Sequence, residues 1–240
     1  MTGLVVPAYF HPAVAGAQWA TLTTGPALRA LVLNVADGPG VTPDPPLIAA
    51  ATATGAPIYG YVDTAYASLP AAVVLRDVAR WRERCAVTGI FLDRVTTGAA
   101  QLPYYEILTR TAGPRVVLNC GAYPYPGYAE IAEAVVTFEG PYSAHRVADA
   151  PPWVSALPAS TFWHLIYATP PSLMGAAVRR AAAANVGGLL VTDRSGANPW
   201  DGLPSYFSSL ARRWPAVARP RRRRPPADGS RHPASAGSGS

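Results

Sequence analysis

Two acidic side chains stand directly after tightly apolar stretches of the sequence. Asp93 follows the run IFL, and Glu139 follows the run VVTF. A carboxylate in such a place is costly to bury unless it faces a polar cleft. Hydrolysis of a glycosidic bond needs a pair of carboxyl groups: one protonates the departing oxygen, and the other stabilises or attacks the developing oxocarbenium carbon. Asp93 and Glu139 are therefore the candidate catalytic pair.

Polar or aromatic residues also end most of the other apolar runs. In barrel enzymes the carboxyl ends of the strands carry the active site, so these residues are candidates for binding a substrate. They are Tyr9, His11, Asn34, Asp63, Arg94, Asn119, Tyr167 and Asp193. Asp and Asn at the end of a strand also cap helices or form turns, and for any single residue this structural role is an equal alternative.

Many aromatic side chains fall near the expected ends of the same runs. Flat rings beside carboxylates are typical of the subsites on which sugars stack. Some of these rings must instead pack in the core or in loops. The candidates are Tyr9, Trp19, Tyr61, Tyr66, Tyr123, Tyr125, Tyr142, Trp163, Tyr167 and Trp200.

Other catalytic chemistries find little support in the sequence. The four histidines form no HExxH motif, so no metal site is predicted. No GxSxG motif is present, and no cofactor is expected. His164 lies inside an apolar run, and two interpretations of it stay open: a buried core imidazole and a catalytic imidazole. Cys85 and Cys120 fit neither a zinc site nor a disulfide framework, and we predict core thiols.

Eight short apolar runs recur along the chain, with segments of helical character between them. A parallel strand that is covered on both faces has this pattern. An open doubly wound sheet would alternate in the same way, but the GxGxxG turn typical of that fold is missing after the first run. Eight is the number of strands that a closed (β/α)₈ barrel requires. The runs begin at Leu4, Ala30, Pro57, Gly89, Arg115, Ala134, Phe162 and Gly187.

Two of the intervening segments have clear helical patterns. Residues 71–87 place apolar side chains on one face, and the Ala-rich residues 172–185 end before a pair of glycines. The helix after the first run is the hardest to see. We predict one α/β domain, a (β/α)₈ barrel over residues 1–215. Its fourth and sixth strands would place Asp93 and Glu139 across the barrel mouth from one another.

The charge of the chain is concentrated at its C-terminal end. The 240-residue sequence carries a net charge of +6, and the segment 219–240 holds six arginines against one aspartate. Residues 216–240 are rich in Arg, Pro, Ser and Gly, so we predict a disordered tail. Clustered arginines could tether nucleic acid or an anionic surface. A solvated extension is the preferred interpretation, so no nucleic-acid partner is expected.

Neither an export signal nor a membrane span is visible. Residues 1–11 contain no basic segment and no cleavage site. No apolar stretch approaches the roughly 20 residues of a membrane span. We expect a monomer without a membrane partner. It would be cytoplasmic as written, or secreted if the true start codon lies upstream.

Several motifs together resemble the spherulin-4 family. In order they are VPAYFHP, NVADGPG, GYVDT, GIFLD, LNCG, TFEG, VTD and NPWDGLPSY, spread from Val6 to Tyr206. The resemblance implies a (β/α)₈ fold and kinship with endo-acting glycosidases of exopolysaccharides that contain galactosamine, N-acetylgalactosamine and galactose. It also implies that the acid closing GIFLD and the Glu of TFEG, here Asp93 and Glu139, are the functional carboxyl groups.

One residue departs from the pattern of the family, which commonly continues as FLDE. Arg94 stands in place of the second acid. If its side chain points into the cleft, it lowers the pKa of Asp93 and Glu139 and opposes general-acid catalysis. One hypothesis is therefore an endo-glycosidase with Glu139 as general acid and Asp93 as nucleophile or electrostatic stabiliser. The alternative is a barrel that binds a poly- or oligosaccharide without cleaving it.

Overall fold

Parallel strands close into a barrel in the order of the sequence, from β1 to β8. The structure, a computed structural model, describes residues 2–26 and 28–217. Each strand overlaps one of the eight predicted runs, and the (β/α)₈ barrel is confirmed. The strands are β1 Gly3–Ala8, β2 Ala30–Leu33, β3 Ile58–Asp63, β4 Gly89–Asp93, β5 Val116–Asn119, β6 Ala134–Pro141, β7 Phe162–Tyr167 and β8 Gly188–Val191.

The strands form where nearly all side chains are covered on both faces. Every residue of β2, β5 and β8 is buried, and most are Val or Leu. The strand β1 closes the barrel by pairing Gly3 with Gly188 and Leu4 with Leu189 of β8. A closed barrel leaves no strand edge exposed, so the carboxyl ends of all strands meet at one mouth.

Seven α-helices follow the strands within the described residues. Helix α3 ends at Arg84, before the predicted end at 87, and α6 is shorter than predicted at both ends. Between β5 and β6 the described residues form a 3₁₀ turn, Pro126–Ala129, in place of an α-helix. The helices are α1 Pro12–Thr24, α2 Pro45–Ala53, α3 Ala71–Arg84, α4 Leu102–Ala112, the single turn α5 Tyr142–His145, α6 Met174–Ala183 and α7 Phe207–Val217.

Helix α3 lies close against β3 because of one glycine. A Cβ at Gly60 would lie 2.5 Å from the ring of Trp81. The same indole donates a hydrogen bond of 2.7 Å from Nε1 to the carbonyl of Tyr61. The helix thereby fixes the part of β3 that leads into the barrel mouth.

The core contains several residues whose role the sequence left open. Trp19 and Trp163 are buried in it, so they are not available to a sugar. Cys85 is a buried free thiol, as predicted. Cys120 is also a free thiol, but it is only partly buried.

No helix in the described ranges is long and apolar enough to cross a membrane. The predicted tail, 216–240, lies outside the described residues apart from its first two, which belong to α7. The arginine cluster in that segment lies outside them as well.

Candidate active site

A polar cavity of about 660 Å³ opens at the carboxyl ends of the strands. Six of the predicted substrate-binding or catalytic residues, at or just after the ends of different strands, reach it. The loop that follows β8, through residues 196–200, closes one side. The side chains that matter most are Tyr9, Asn34, Tyr61, Asp93, Asn119, Glu139, Tyr167 and Trp200.

One amide joins the two candidate catalytic carboxyl groups. Asn119 Nδ2 donates to Asp93 Oδ1 at 2.6 Å and to Glu139 Oε2 at 2.5 Å. Because both oxygens bond the same nitrogen, they lie within about 5 Å of one another, the range of carboxyl pairs in retaining glycosidases. Asn119 Oδ1 accepts from the backbone N–H of Gly121 at 3.1 Å, which orients the amide.

The pair does not lie across the mouth as the sequence predicted. Strands β4 and β6 are both neighbours of β5, so Asp93 and Glu139 flank Asn119 on the same side of the barrel. The pairing of β6 with β7 shifts register between Val136 and Phe138. The Glu139 N–H then bonds the carbonyl of Gly121 at 3.0 Å, which ties β6 to the loop after β5.

Asp93 is partly buried beside a set of hydrogen-bond donors. Tyr61 Oη donates to its Oδ2 at 2.8 Å, and Asn119 donates to its other oxygen. Burial raises the pKa of Asp93 above its usual value, while the bonds from Tyr61, the Arg94 backbone and Asn119 oppose the shift. These bonds favour the ionised form of Asp93.

Both carboxyl oxygens of Glu139 accept hydrogen bonds. Trp200 Nε1 donates to Oε1 at 3.0 Å, and Asn119 donates to Oε2. Burial raises the pKa of Glu139, the nearby charge of Asp93 raises it further, and the two bonds oppose the rise. A raised pKa is what a general acid needs near neutral pH.

Arg94 does not act on the pair as its sequence position suggested. Its Nε donates to Asp63 Oδ1 at 2.7 Å, and its Nη2 bonds the other oxygen of the same carboxylate. Burial would raise the pKa of Asp63, but the bonds from Arg94 and from the Ala65 N–H prevail and lower it. The expected depression of the pKa of Asp93 and Glu139 is not found, because Asp63 binds the guanidinium.

Tyr9 and Tyr167 line the cavity, as predicted for substrate-binding residues. Tyr9 stands edge-on to Tyr61 with ring centroids 5.9 Å apart, and Tyr167 stands edge-on to Trp200 at 6.1 Å. Burial raises the pKa of Tyr9 well above its usual value, so its hydroxyl keeps its proton. The two pairs give the cavity two aromatic parts of its lining.

Three other predicted residues have structural partners. His11 Nδ1 accepts from the Ala13 N–H at the start of α1. Asp193 binds the backbone N–H and the hydroxyl of Ser205. Asn34 lines the cavity, yet its Oδ1 also accepts from the Gly38 N–H at 2.9 Å and shapes the loop after β2. Unlike Asn34, neither His11 nor Asp193 lines the cavity.

Sequence reasoning missed the roles of Tyr61 and Trp200. Both were among the candidate aromatics, but neither was matched to a carboxyl group. Tyr61 precedes Asp63 by two positions on β3, and this spacing places it on the inner face of the strand. Trp200 comes from a loop far along the chain, and no local pattern links it to Glu139.

The buried histidines lie apart from the cavity. His145 Nε2 and His164 Nδ1 are 3.0 Å apart, and both residues are almost fully buried. Burial lowers the pKa of His145 to about 4 and that of His164 well below its usual value. His164 is therefore a paired core imidazole. In the part of the chain that the structure describes, no group of three or more His, Cys, Asp or Glu side chains could hold a metal ion.

Comparison with known proteins adds to this description. A crystal structure of Sph3 from Aspergillus clavatus in complex with GalNAc superposes with a TM-score of 0.72 at 23% sequence identity, covering 88% of this chain and 96% of that one. That similarity shows the shared barrel fold. A structure of a candidate dihydrodipicolinate synthetase from Pseudomonas aeruginosa has a TM-score of 0.47 at 13% identity, covering 88% and 75%.

No curated protein sequence matches the chain. The model of spherulation-specific family 4, in contrast, matches residues 3–213, which include every strand and the whole cavity lining. The residues that carry the match are thus the ones that build the barrel and its mouth. On this ground the chain belongs to spherulation-specific family 4.

Proposed function

We propose that this protein is an endo-acting glycoside hydrolase whose substrate is a polysaccharide containing N-acetylgalactosamine or galactosamine. One observation carries the proposal: Asp93 and Glu139 are bonded to a single Asn119 amide on the floor of an open polar cavity. Two carboxyl groups this close, with aromatic rings around them, fit the requirements of glycosidic bond hydrolysis.

The hydrogen bonds and charges around the pair support one distribution of the two roles. Asp93 accepts from Tyr61, from Asn119 and from the Arg94 backbone, and all three favour its ionised form. Glu139 is raised in pKa by burial and by the charge of Asp93. Burial raises the pKa of both groups, but only Glu139 is raised further by the charge of the other member of the pair, and the group that keeps its proton serves as the acid. Glu139 is therefore the general acid, and Asp93 is the nucleophile.

The separation of the pair favours retention of the anomeric configuration. Asp93 attacks the anomeric carbon while Glu139 gives its proton to the leaving oxygen, so the glycosidic bond breaks as an ester to Asp93 forms. Glu139, now ionised, takes a proton from a water molecule. The water oxygen attacks the same carbon and releases the Asp93 carboxylate. An inverting pair would be about 6.5 to 9.5 Å apart, to leave room for the water.

The class of sugar rests on two supports. The motifs of the sequence resemble enzymes of exopolysaccharides rich in amino sugars, and the Sph3 structure with the same fold was obtained with GalNAc. A cavity of about 660 Å³ is within the usual size of small-ligand sites. Tyr9, Tyr167 and Trp200 provide the rings against which a sugar can lie.

Replacement of each carboxyl group by its amide tests the proposal. Release of reducing ends from an N-acetylgalactosamine polymer should fall roughly 10²- to 10⁴-fold in Asp93→Asn and in Glu139→Gln. Asp77→Asn is the matched control, since Asp77 pairs with Arg80 on α3 and does not line the cavity. Full activity in both variants would refute the assignment. A wild-type protein that binds the polymer but releases no ends would favour the alternative of a binding barrel.

A further inference from the structure

A second space of about 260 Å³ adjoins the main cavity and shares Asp93, Asn119 and Glu139 with it. Its remaining walls are Tyr66 and Arg94, with Cys120 and Gly121 after β5. The main cavity takes its other walls from β1 to β4, from β7 and from the loop after β8. The carboxyl pair lines both spaces and therefore lies where they meet.

The turn after β3 that supplies Tyr66 has an unusual backbone. Ala65, Tyr66 and Ala67 have φ values of 46°, 57° and 63°, in the left-handed region that non-glycine residues rarely adopt. Tyr66 N–H bonds the Arg94 carbonyl at 2.7 Å, and Arg94 itself has a φ of 51°. Strain of this kind persists where the surrounding contacts hold it, and it concentrates at ligand sites.

This turn leaves the aromatic ring of Tyr66 exposed to solvent. Tyr66 is 60% exposed, and the Arg94 guanidinium lies 5.8 Å from the centre of its ring. The Arg94 side chain uses Nε and Nη2 to bind Asp63, yet it remains 47% exposed. Arg94 lies over one face of this ring, which leaves the other face for a sugar, and the exposed planar donor matches an oxygen on the edge of that sugar.

We propose that the second space is a sugar subsite in which Tyr66 stacks against the ring and Arg94 donates a hydrogen bond to a substituent oxygen. This inference rests on the proposed function, because the bond to be cut then lies above Asp93 and Glu139 with sugar units on both sides. A chain bound across both spaces is cut in its interior.

Arg94 makes the subsite less favourable for a cationic sugar than the carboxyl pair alone would. Its guanidinium lines the second space, while Asp63, which pairs with it, lines neither space. The guanidinium thereby offsets the negative charge of Asp93, which lines the same space. An acetamido group carries no charge, and its carbonyl oxygen accepts a hydrogen bond. Removal of the guanidinium would leave the Asp63 carboxylate unpaired and would attract a cationic sugar. Arg94 is thus the residue that selects N-acetylated over deacetylated units here.

Binding measurements test the subsite in full-length protein that carries Glu139→Gln, so that no ligand is consumed. The ligands are N-acetylgalactosamine, its linear tetrasaccharide and the deacetylated tetrasaccharide. Tyr66→Ala and Tyr66→Gly, of which glycine accepts the positive φ freely, should weaken binding of the N-acetylated tetrasaccharide roughly tenfold. Binding of the monosaccharide should not change. Tyr125→Ala is the control, because Tyr125 is 50% exposed and lines neither space.

Arg94→Gln tests the selection of charge in the same titrations. The preference for the N-acetylated over the deacetylated tetrasaccharide should fall roughly tenfold, and an unchanged ratio would overturn the role of Arg94. Tetrasaccharide affinities within twofold of the parent protein in both Tyr66 variants would overturn the subsite and leave the proposed function standing. Equal losses for monosaccharide and tetrasaccharide would also contradict it. A parent protein that binds none of the three ligands would refute both proposals.

Discussion

Tyr61 and Trp200 each donate a hydrogen bond to a different member of the carboxyl pair. The Tyr61 hydroxyl bonds Asp93 at 2.8 Å, and the Trp200 indole bonds Glu139 at 3.0 Å. A hydrogen bond to a carboxylate favours the ionised form, so each bond lowers the pKa of its partner. Loss of either bond should raise one pKa of the pair and leave the other largely as it is.

The two bonds should therefore control opposite limbs of the pH profile. Activity needs Asp93 ionised and Glu139 protonated, so the acid limb follows Asp93 and the alkaline limb follows Glu139. Tyr61→Phe should move the acid limb to higher pH, and Trp200→Phe should move the alkaline limb to higher pH. In each variant kcat/KM at the optimum should fall roughly tenfold, the effect of one lost hydrogen bond to a charged group.

Profiles of kcat/KM against pH provide the measurement. Tyr104→Phe is a suitable control, because the Tyr104 hydroxyl bonds the carbonyl of Leu69 on the outside of the barrel. If the same limb moves in Tyr61→Phe and in Trp200→Phe, the separate roles of Asp93 and Glu139 are wrong. If Trp200→Phe moves the alkaline limb to lower pH, its bond does not act on the ionised acid.

At the level of single residues, the sequence predicts where a functional side chain lies better than which group it hydrogen-bonds. Asp93 and Glu139 could be singled out because a carboxylate that ends a buried strand needs a polar cleft. Arg94 was expected to lower their pKa values if its side chain pointed into the cleft. Its hydrogen-bond partner is instead Asp63 on the neighbouring strand, and the backbone of Arg94 is left-handed.

At the level of elements, two helix caps are linked at the mouth of the barrel. His11 accepts the Ala13 N–H as the cap of α1, and Asp44 accepts the Leu47 N–H as the cap of α2. The other imidazole nitrogen of His11 lies 3.2 Å from Asp44. One residue thus joins the starts of two helices, and its strand-end position has a structural explanation.

His11→Ala should therefore destabilise the protein without affecting the site. Loss of a cap costs about 1 kcal/mol, which lowers Tm by roughly 2–4 °C in a domain of this size. His11→Asn keeps a capping side chain and should recover most of the loss. Thermal unfolding and steady-state kinetics on the three proteins provide the measurement. A rise in KM in His11→Ala at unchanged stability would show that His11 contacts the substrate.

Strands were easier to predict than helices for a physical reason. A barrel strand is buried on both faces, so its apolar run is continuous and visible in the sequence. Helix α1 buries only part of its surface, at Ala15, Trp19 and Leu22, and Ala15 interrupts the helical backbone (φ −128°). Its start depends on the His11 cap, which is not one of the common capping residues.

At the level of the whole molecule, the site exists only when the barrel closes. The Asn119 bonds to Asp93 and Glu139 span 26 and 20 positions of sequence, and the bond from Trp200 to Glu139 spans 61. Periodicity describes one element at a time, so it cannot specify which strand ends meet. The family motifs gave the order of the elements, while the amide that joins the two acids emerged only from their packing.

The stability of the whole molecule should depend on pH through one buried pair. His145 and His164 are neutral in the folded protein, because burial lowers both pKa values and the neighbouring His145 lowers that of His164 further. The Arg180 guanidinium, which bonds the His145 carbonyl at 2.7 Å, lowers the pKa of His145 further. In the unfolded chain each imidazole takes up a proton near its usual pKa of about 6.5. Below that pH, protons therefore bind preferentially to the unfolded state.

The free energy of unfolding should thus be greatest above about pH 6.5 and fall as the pH is lowered toward the folded pKa of His145, about 4. The double variant His145→Leu/His164→Leu removes both titrating groups together, so neither imidazole is left without the other. It also removes the 3.4 Å contact of Tyr123 Oη with His164 Nε2, a loss that does not depend on pH in this range. Over this window it should lose roughly 1–3 kcal/mol less stability than the wild type, as measured by urea unfolding at several pH values. Asp93 and Glu139 are the same in both proteins, so their opposite contribution cancels in the comparison. If the free energy of unfolding falls equally with pH in the two proteins, the histidine pair is not the cause of the lower stability in acid.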